Sequence, residues 1–346
     1  MTSYYNDKLE KEIRLRVGDL KKSRASRAVG ALICLGLLHL MRLQMFAELK
    51  PAAQQKGGLA SQLDTLLASG KIAEGDSIVK RYLAQGGITA ETYLGIGRVY
   101  FEHDQWEQAS ELLHKSLELQ NQNDVAHLLL GLSLAELKQY EESERELQTA
   151  VQQNPQSDFN WYFAGWRLLL RGKYEVSLPY FYKAVELNPR NPNAQRALGS
   201  ALARTGSYGL AENYFKKAIE LIEQEHLQTP EPYLDLAYVL LFSNQKEPAA
   251  RALECLRKAI TINSKMAEAH YLCGKALLKL ERFTAARSEL LLAVQLNAKD
   301  ARPHFLLGQV YDKLGESQEA SEARRTFAKL SQRRADESQG MENLRP

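Results

Sequence analysis

Residues 161–189 read WYFAGWRLLLRGKYEVSLPYFYKAVELNP, and this stretch decides the fold. Trp161, Gly165 and Leu168 fall at the three-and-four spacing of one helix face, and Leu178, Phe181, Ala184 and Val185 do so again beyond Gly172. The stretch reads as two amphipathic helices in sequence, stopped by Pro189, which lacks the N–H a continuing helix needs. Outward from here the plan returns: Gly97, Gly131, Gly165 and Gly199 are each 34 residues apart. A second series of small residues, Ala109, Ala150, Ala184, Ala218, Ala259, Ala293 and Ala320, marks the downstream helix, and Pro155 closes another copy. A unit of about 34 residues therefore recurs seven times between Ala90 and Leu330, the period of a stacked helical array.

With Trp161, Gly165, Gly172, Tyr174, Phe181, Ala184 and Pro189 in register, and Ser177 in place of the usual first alanine, the chain resembles the tetratricopeptide repeat family. That resemblance implies an all-α, right-handed superhelical solenoid of antiparallel helix pairs. Its small residues have a physical reason, since Gly or Ala lets two backbones approach while large neighbours fill the flanking space. The units fall at 90–123, 124–157, 158–191, 192–225, 230–266, 267–300 and 301–334. Pro230 and Pro232 predict an extended second helix and a longer turn in the fourth unit, and the fifth gains about three residues around Asn244 to Pro248. Residues 51–89 are expected to hold a degenerate capping repeat over 57–87, with Leu63, Leu66, Leu67, Ile78, Val79 and Leu83 as its apolar rhythm. The solenoid then covers 90–330, and the polar residues 331–346 are expected to fray and become disordered.

The 346-residue chain carries a net charge of +3. Residues 1–27 hold eight Lys or Arg against four Asp or Glu, so the repeats are close to neutral. Nucleic-acid binding needs a concentrated basic face, which the repeats lack. Residues 1–50 are of another kind, with Lys21, Lys22, Arg24 and Arg27 followed by an apolar run from Ala28 to Met41. Two readings stand. One is an export signal or membrane anchor over residues 28–47, which places the protein at the cell envelope. The other is an apolar helix packed on the solenoid of a cytoplasmic protein, because runs this short read either way.

Cys34, Cys255 and Cys273 have no metal-ligand spacing and read as core fillers. His127, His270 and His304 share one repeat position, filled by Tyr93, Trp161 and Tyr233 elsewhere, so they read as packing residues on separate helices rather than a zinc site. Gly274-Lys275 lacks the upstream glycine of a phosphate loop, and no nucleophile elbow or H-E-x-x-H stretch occurs. No cofactor and no enzyme activity are expected.

Binding remains. The resemblance implies that the first helix of each unit lines a concave surface. The candidate partner-binding residues are then Leu128, Leu129 and Leu132 in the second unit, Phe159, Tyr162, Phe163 and Trp166 in the third, and Tyr238, Tyr271 and Phe305 further on. The helix from Phe159 to Leu170 is apolar nearly all round, so the face turned from its partner helix needs a cover. Either a ligand covers it, or the rings pack on one another across neighbouring repeats. Relatives that clamp a peptide carboxylate with Lys and Asn are poorly matched, because Leu94, Arg98 and Leu129 stand at those places. The expectation is a non-catalytic protein-binding scaffold for an apolar helix or extended segment. The competing class is an accessory module in envelope polysaccharide or pilus export, its groove contacting a polymer.

Overall fold

A computed structural model describes residues 58–242 and 246–342. The basic and apolar stretch over 1–50, Cys34, Asn244 and the last four residues lie outside the described residues, and with them the readings attached to residues 28–47. Among the described residues there are sixteen helices and no strand. None of these helices is long and apolar enough to cross a membrane.

The helices follow one another as α1 (Leu59–Ala68), α2 (Ile72–Leu83), α3 (Ala90–Glu102), α4 (Trp106–Leu119), α5 (Asp124–Glu136), α6 (Tyr140–Gln153), α7 (Asp158–Leu170) and α8 (Tyr174–Leu187). Then come α9 (Pro192–Arg204), α10 (Tyr208–Gln224), α11 (Glu231–Leu241), α12 (Lys246–Ile262), α13 (Ala267–Lys279), α14 (Phe283–Leu296), α15 (Arg302–Leu314) and α16 (Ser317–Glu342). They form two compact bodies, one ending at Gly206 and one starting at Ser207. In the first, α3 packs on α4, α5 on α6 and α7 on α8, and each second helix packs on the first helix that follows. In the second, α11–α12, α13–α14 and α15–α16 pair in the same way, with α10 against α11. Within each body the first helices also touch one another, α3 to α5 to α7 to α9 and α11 to α13 to α15, and so build one continuous face.

The repeat chemistry explains the hairpins. Ala109, Ala150, Ala184, Ala218, Ala259, Ala293 and Ala320 are at most 1% exposed, as expected of residues at helix crossings. Thr89, Asn123, Ser157 and Asn191, again at the repeat interval, each accept the backbone N–H of a residue two or three positions on and so start α3, α5, α7 and α9. The turns inside the hairpins α3–α4, α5–α6, α7–α8, α13–α14 and α15–α16 each hold one left-handed residue, Gly172 or Gly315 in two of them but Asp104, Lys138 and Glu281 in the others. Asp124 joins two hairpins by accepting from Asn154 and Asn160, both at 2.9 Å. Asp158 repeats the joint with Asn188 at 3.0 Å.

Two irregularities match the prolines and insertions read from sequence. Helices α10 and α12 run 17 residues, against 14 for α4, α6, α8 and α14. Helix α16 continues through the polar stretch to Glu342, past the expected end of the solenoid at 330. Gln, Arg, Ala and Glu are good helix formers, and Gln332 donates to Asp336 one turn on at 2.9 Å.

Candidate partner-binding surface

The first helices are held by a recurring contact that makes the fourth helix position polar at its tip. His127 Nε2 bonds the Asn121 carbonyl at 3.0 Å, Trp161 Nε1 the Pro155 carbonyl at 3.0 Å, Gln195 Nε2 the Pro189 carbonyl at 2.8 Å, and His270 Nε2 the Ser264 carbonyl at 3.1 Å. Each time the side chain reaches six residues back and closes the turn between repeats. The histidines do more. Nδ1 of His127 meets Glu146 at 2.6 Å, and that of His270 meets Glu289 at 2.7 Å. At His127 a carbonyl can only accept, so Nε2 donates, and the carboxylate at Nδ1 asks for a second ring proton. Burial opposes the charged form of His127, yet Glu146 and the Asn121 carbonyl outweigh it and hold the imidazole above its ordinary range.

On the first-helix face of the first body, the aromatic candidates of α7 bury one another. Tyr162 lies 5.1 Å from Phe163 and 6.3 Å from Trp166 by ring centroids, and 6.1 Å from Phe181 of α8. Phe159 stacks on Phe163 at 6.5 Å. Tyr162 and Trp166 are 3% exposed and Leu129 is not exposed at all; Leu128, Leu132 and Phe163 are buried too. These six side chains are buried in the core, which favours the reading in which the rings pack on one another over one in which a ligand covers them. Phe159 is half-buried. Among the described residues the buried indole N–H of Trp166 has no hydrogen-bond partner.

The second body keeps its face open. Phe305 is 47% exposed and meets Phe327 of α16 at 5.3 Å. Tyr238 and Tyr271 are half-buried. Phe242, at the end of α11, is 43% exposed; it stacks on Tyr208 at 4.8 Å and takes the edge of Tyr238 at 4.9 Å. The Lys275 ammonium lies 5.7 Å from the centroid of the Phe242 ring. Arg302 covers Tyr271 at 4.6 Å and is fixed by Glu268 and Asp300, both at 2.6 Å. Burial, ahead of the neighbouring charges, pushes the Tyr271 phenol up to about 12. The result is a row of rings and cations along α11, α13 and α15 on a rigid helical support.

Two family models described as tetratricopeptide repeat match the chain, one over residues 100–162 and the other over 164–226 and 234–303. The chain belongs to the tetratricopeptide repeat family. No curated protein matches it. Among solved structures, it is similar to a chain of the APC/C hetero-tetramer Cut9–Hcn1, at 16% identity and a TM-score of 0.56 over 78% of this chain and 51% of that one. The pilus biogenesis factor PilW aligns at 22% identity and a TM-score of 0.52, over 60% of this chain and 93% of its own. The C-terminal part of a TPR repeat-containing protein from Cytophaga hutchinsonii aligns at 14% identity and a TM-score of 0.53, over 68% of this chain and 93% of its own. At these identities the likeness is one of fold.

Within this tetratricopeptide frame, sequence reasoning missed Phe242, Tyr208 and Lys275. Phe242 and Lys275 stand four residues after the candidates Tyr238 and Tyr271, on the same helix faces, so a scan for partners one turn away finds them. Tyr208 comes from a different helix and leaves no such local trace.

Proposed function

We propose that this tetratricopeptide repeat protein is a non-catalytic scaffold that binds an apolar helix or extended segment of a protein partner along the first helices of its second body. Tetratricopeptide arrays are protein-interaction scaffolds in general. The observation that carries the finer reading is the exposure of two large rings, Phe242 and Phe305, on a face otherwise held rigid by packing and ion pairs. Exposed aromatic patches mark interaction sites, and aromatic anchors dominate binding energy. The test is a photo-crosslinking residue placed at Phe305 or at Leu119, an exposed residue of a second helix in the first body. A discrete protein adduct from position 305 alone supports the reading, and equal labelling from both positions overturns it.

We also place the protein at a cell envelope, exported or anchored, on the pattern of Lys21 to Arg27 followed by the apolar run to Met41. Fractionation of cells carrying the full chain or a chain lacking residues 1–47 tests this, and an unchanged soluble distribution overturns it. An accessory role in pilus or polysaccharide export is compatible with that location. The PilW likeness is one of fold and adds no pathway.

A further inference from the structure

Several cations of the second body are spent on carboxylates of their own chain. Arg302 holds Glu268, Arg251 holds Glu212, Lys258 holds Glu223 and Arg287 holds Glu316. Lys275 differs from these four in having only a ring beside its ammonium. Among the described residues no carboxylate comes within ion-pair reach of its ammonium, whose recorded neighbour is the Phe242 ring. The side chain is half-buried. Burial first, and then the like charges of Lys279 and Arg302, hold its pKa below the ordinary lysine range, while the nearby Glu268 is already committed to Arg302.

A desolvated ammonium without a counter-ion is unfavourable, and an arriving carboxylate relieves it. A purely apolar segment laid over Phe242 would bury Lys275 further and leave it unpaired. The Phe242 ring beside it, with Tyr238 packed against that ring, requires that the carboxylate bring apolar company. A phosphate is a poorer match, because the nearby guanidinium that could grip it with two parallel bonds, Arg302, is taken by Glu268 and Asp300.

We infer that the first-helix face of the second body takes a partner segment in which an Asp or Glu side chain stands beside, or one helical turn from, an aromatic or large aliphatic side chain. The carboxylate meets Lys275 and the apolar side chain covers Phe242. This rests on the scaffold reading above and names the chemistry of its partner.

The full chain, panned against displayed random peptides, is the test. Peptides that pair an acidic with a large apolar residue are expected to be enriched. Their affinity is expected to fall about tenfold or more with Lys275→Gln, to be largely kept with Lys275→Arg, to drop with Phe242→Ala, and to weaken as salt is raised. Circular dichroism of each variant separates lost binding from lost fold. Enriched peptides without an acidic residue, or affinities indifferent to both Lys275→Gln and Phe242→Ala in folded variants, overturn the inference. If such peptides still lose affinity with Phe305→Ala, the scaffold reading survives without it. If the wild-type chain enriches no peptide, both fall.

Discussion

One substitution made at two glycines should have opposite effects. Gly95 lies inside α3 and Gly131 inside α5, so an alanine at either relieves the entropic cost of glycine in a helix, a gain of about 0.5–1 kcal/mol. A Cβ added at Gly95 meets no atom within 4 Å. At Gly131 it would stand 2.8 Å from Leu147 Cγ, 3.0 Å from its Cδ2 and 3.1 Å from its backbone nitrogen. Leu147 is 2% exposed, and a backbone nitrogen cannot rotate away, so α5 and α6 must separate. Forcing a methyl group into a packed core costs about 1–3 kcal/mol. Gly95→Ala should therefore stabilise by about 0.5–1 kcal/mol, while Gly131→Ala should fall below it by the overpacking cost, about 1–3 kcal/mol. Repeats touch only their neighbours, so urea unfolding should be read together with amide exchange in α5 and α6, where the loss should concentrate. Equal stabilisation by both alanines, with unchanged exchange in α5 and α6, would refute the argument that glycine sets the approach of the two helices.

Three further outcomes are expected. The charged His127–Glu146 pair contributes stability that is full below the unfolded imidazole pKa of about 6.5 and is lost as pH rises through the higher folded value; the groups facing the ring are Glu146, Asp124 and the Asn121 carbonyl. Unfolding midpoints across that range should fall for the wild type and stay flatter for Glu146→Gln. Lys138→Gly should raise the melting temperature, because a left-handed lysine costs about 1–2 kcal/mol and glycine returns only part of that as entropy. Phe181→Ala, at a ring with no exposure that packs on Tyr162, should cost about 3–5 kcal/mol in chemical unfolding.

The period is legible because it is local. A hairpin of fixed length needs a small residue at its crossing and a stop at its end, and Gly97, Gly131, Gly165 and Pro189 declare both without any knowledge of the neighbours. The cap series Thr89, Asn123, Ser157 and Asn191 was equally open to reading, since it keeps the same interval. Exposure is another matter. The residue after the packing glycine is Leu132 in α5, Trp166 in α7, Lys275 in α13 and Gln309 in α15, all in one register. Leu132 and Trp166 close over their neighbours, and Tyr162 and Phe163 disappear with them into a core that α8 completes through Phe181. A lysine in the same register cannot be sealed off, because its ammonium must reach water or a counter-charge. Phe242 beside it, and Phe305 on the next first helix, stay open to solvent. Aromatic content therefore pointed to the third unit, whereas open surface requires aromatics placed where a charge prevents closure. The charge that keeps this face open has no carboxylate within ion-pair reach among the described residues, so openness and the chemistry of the partner trace to the same side chain, Lys275.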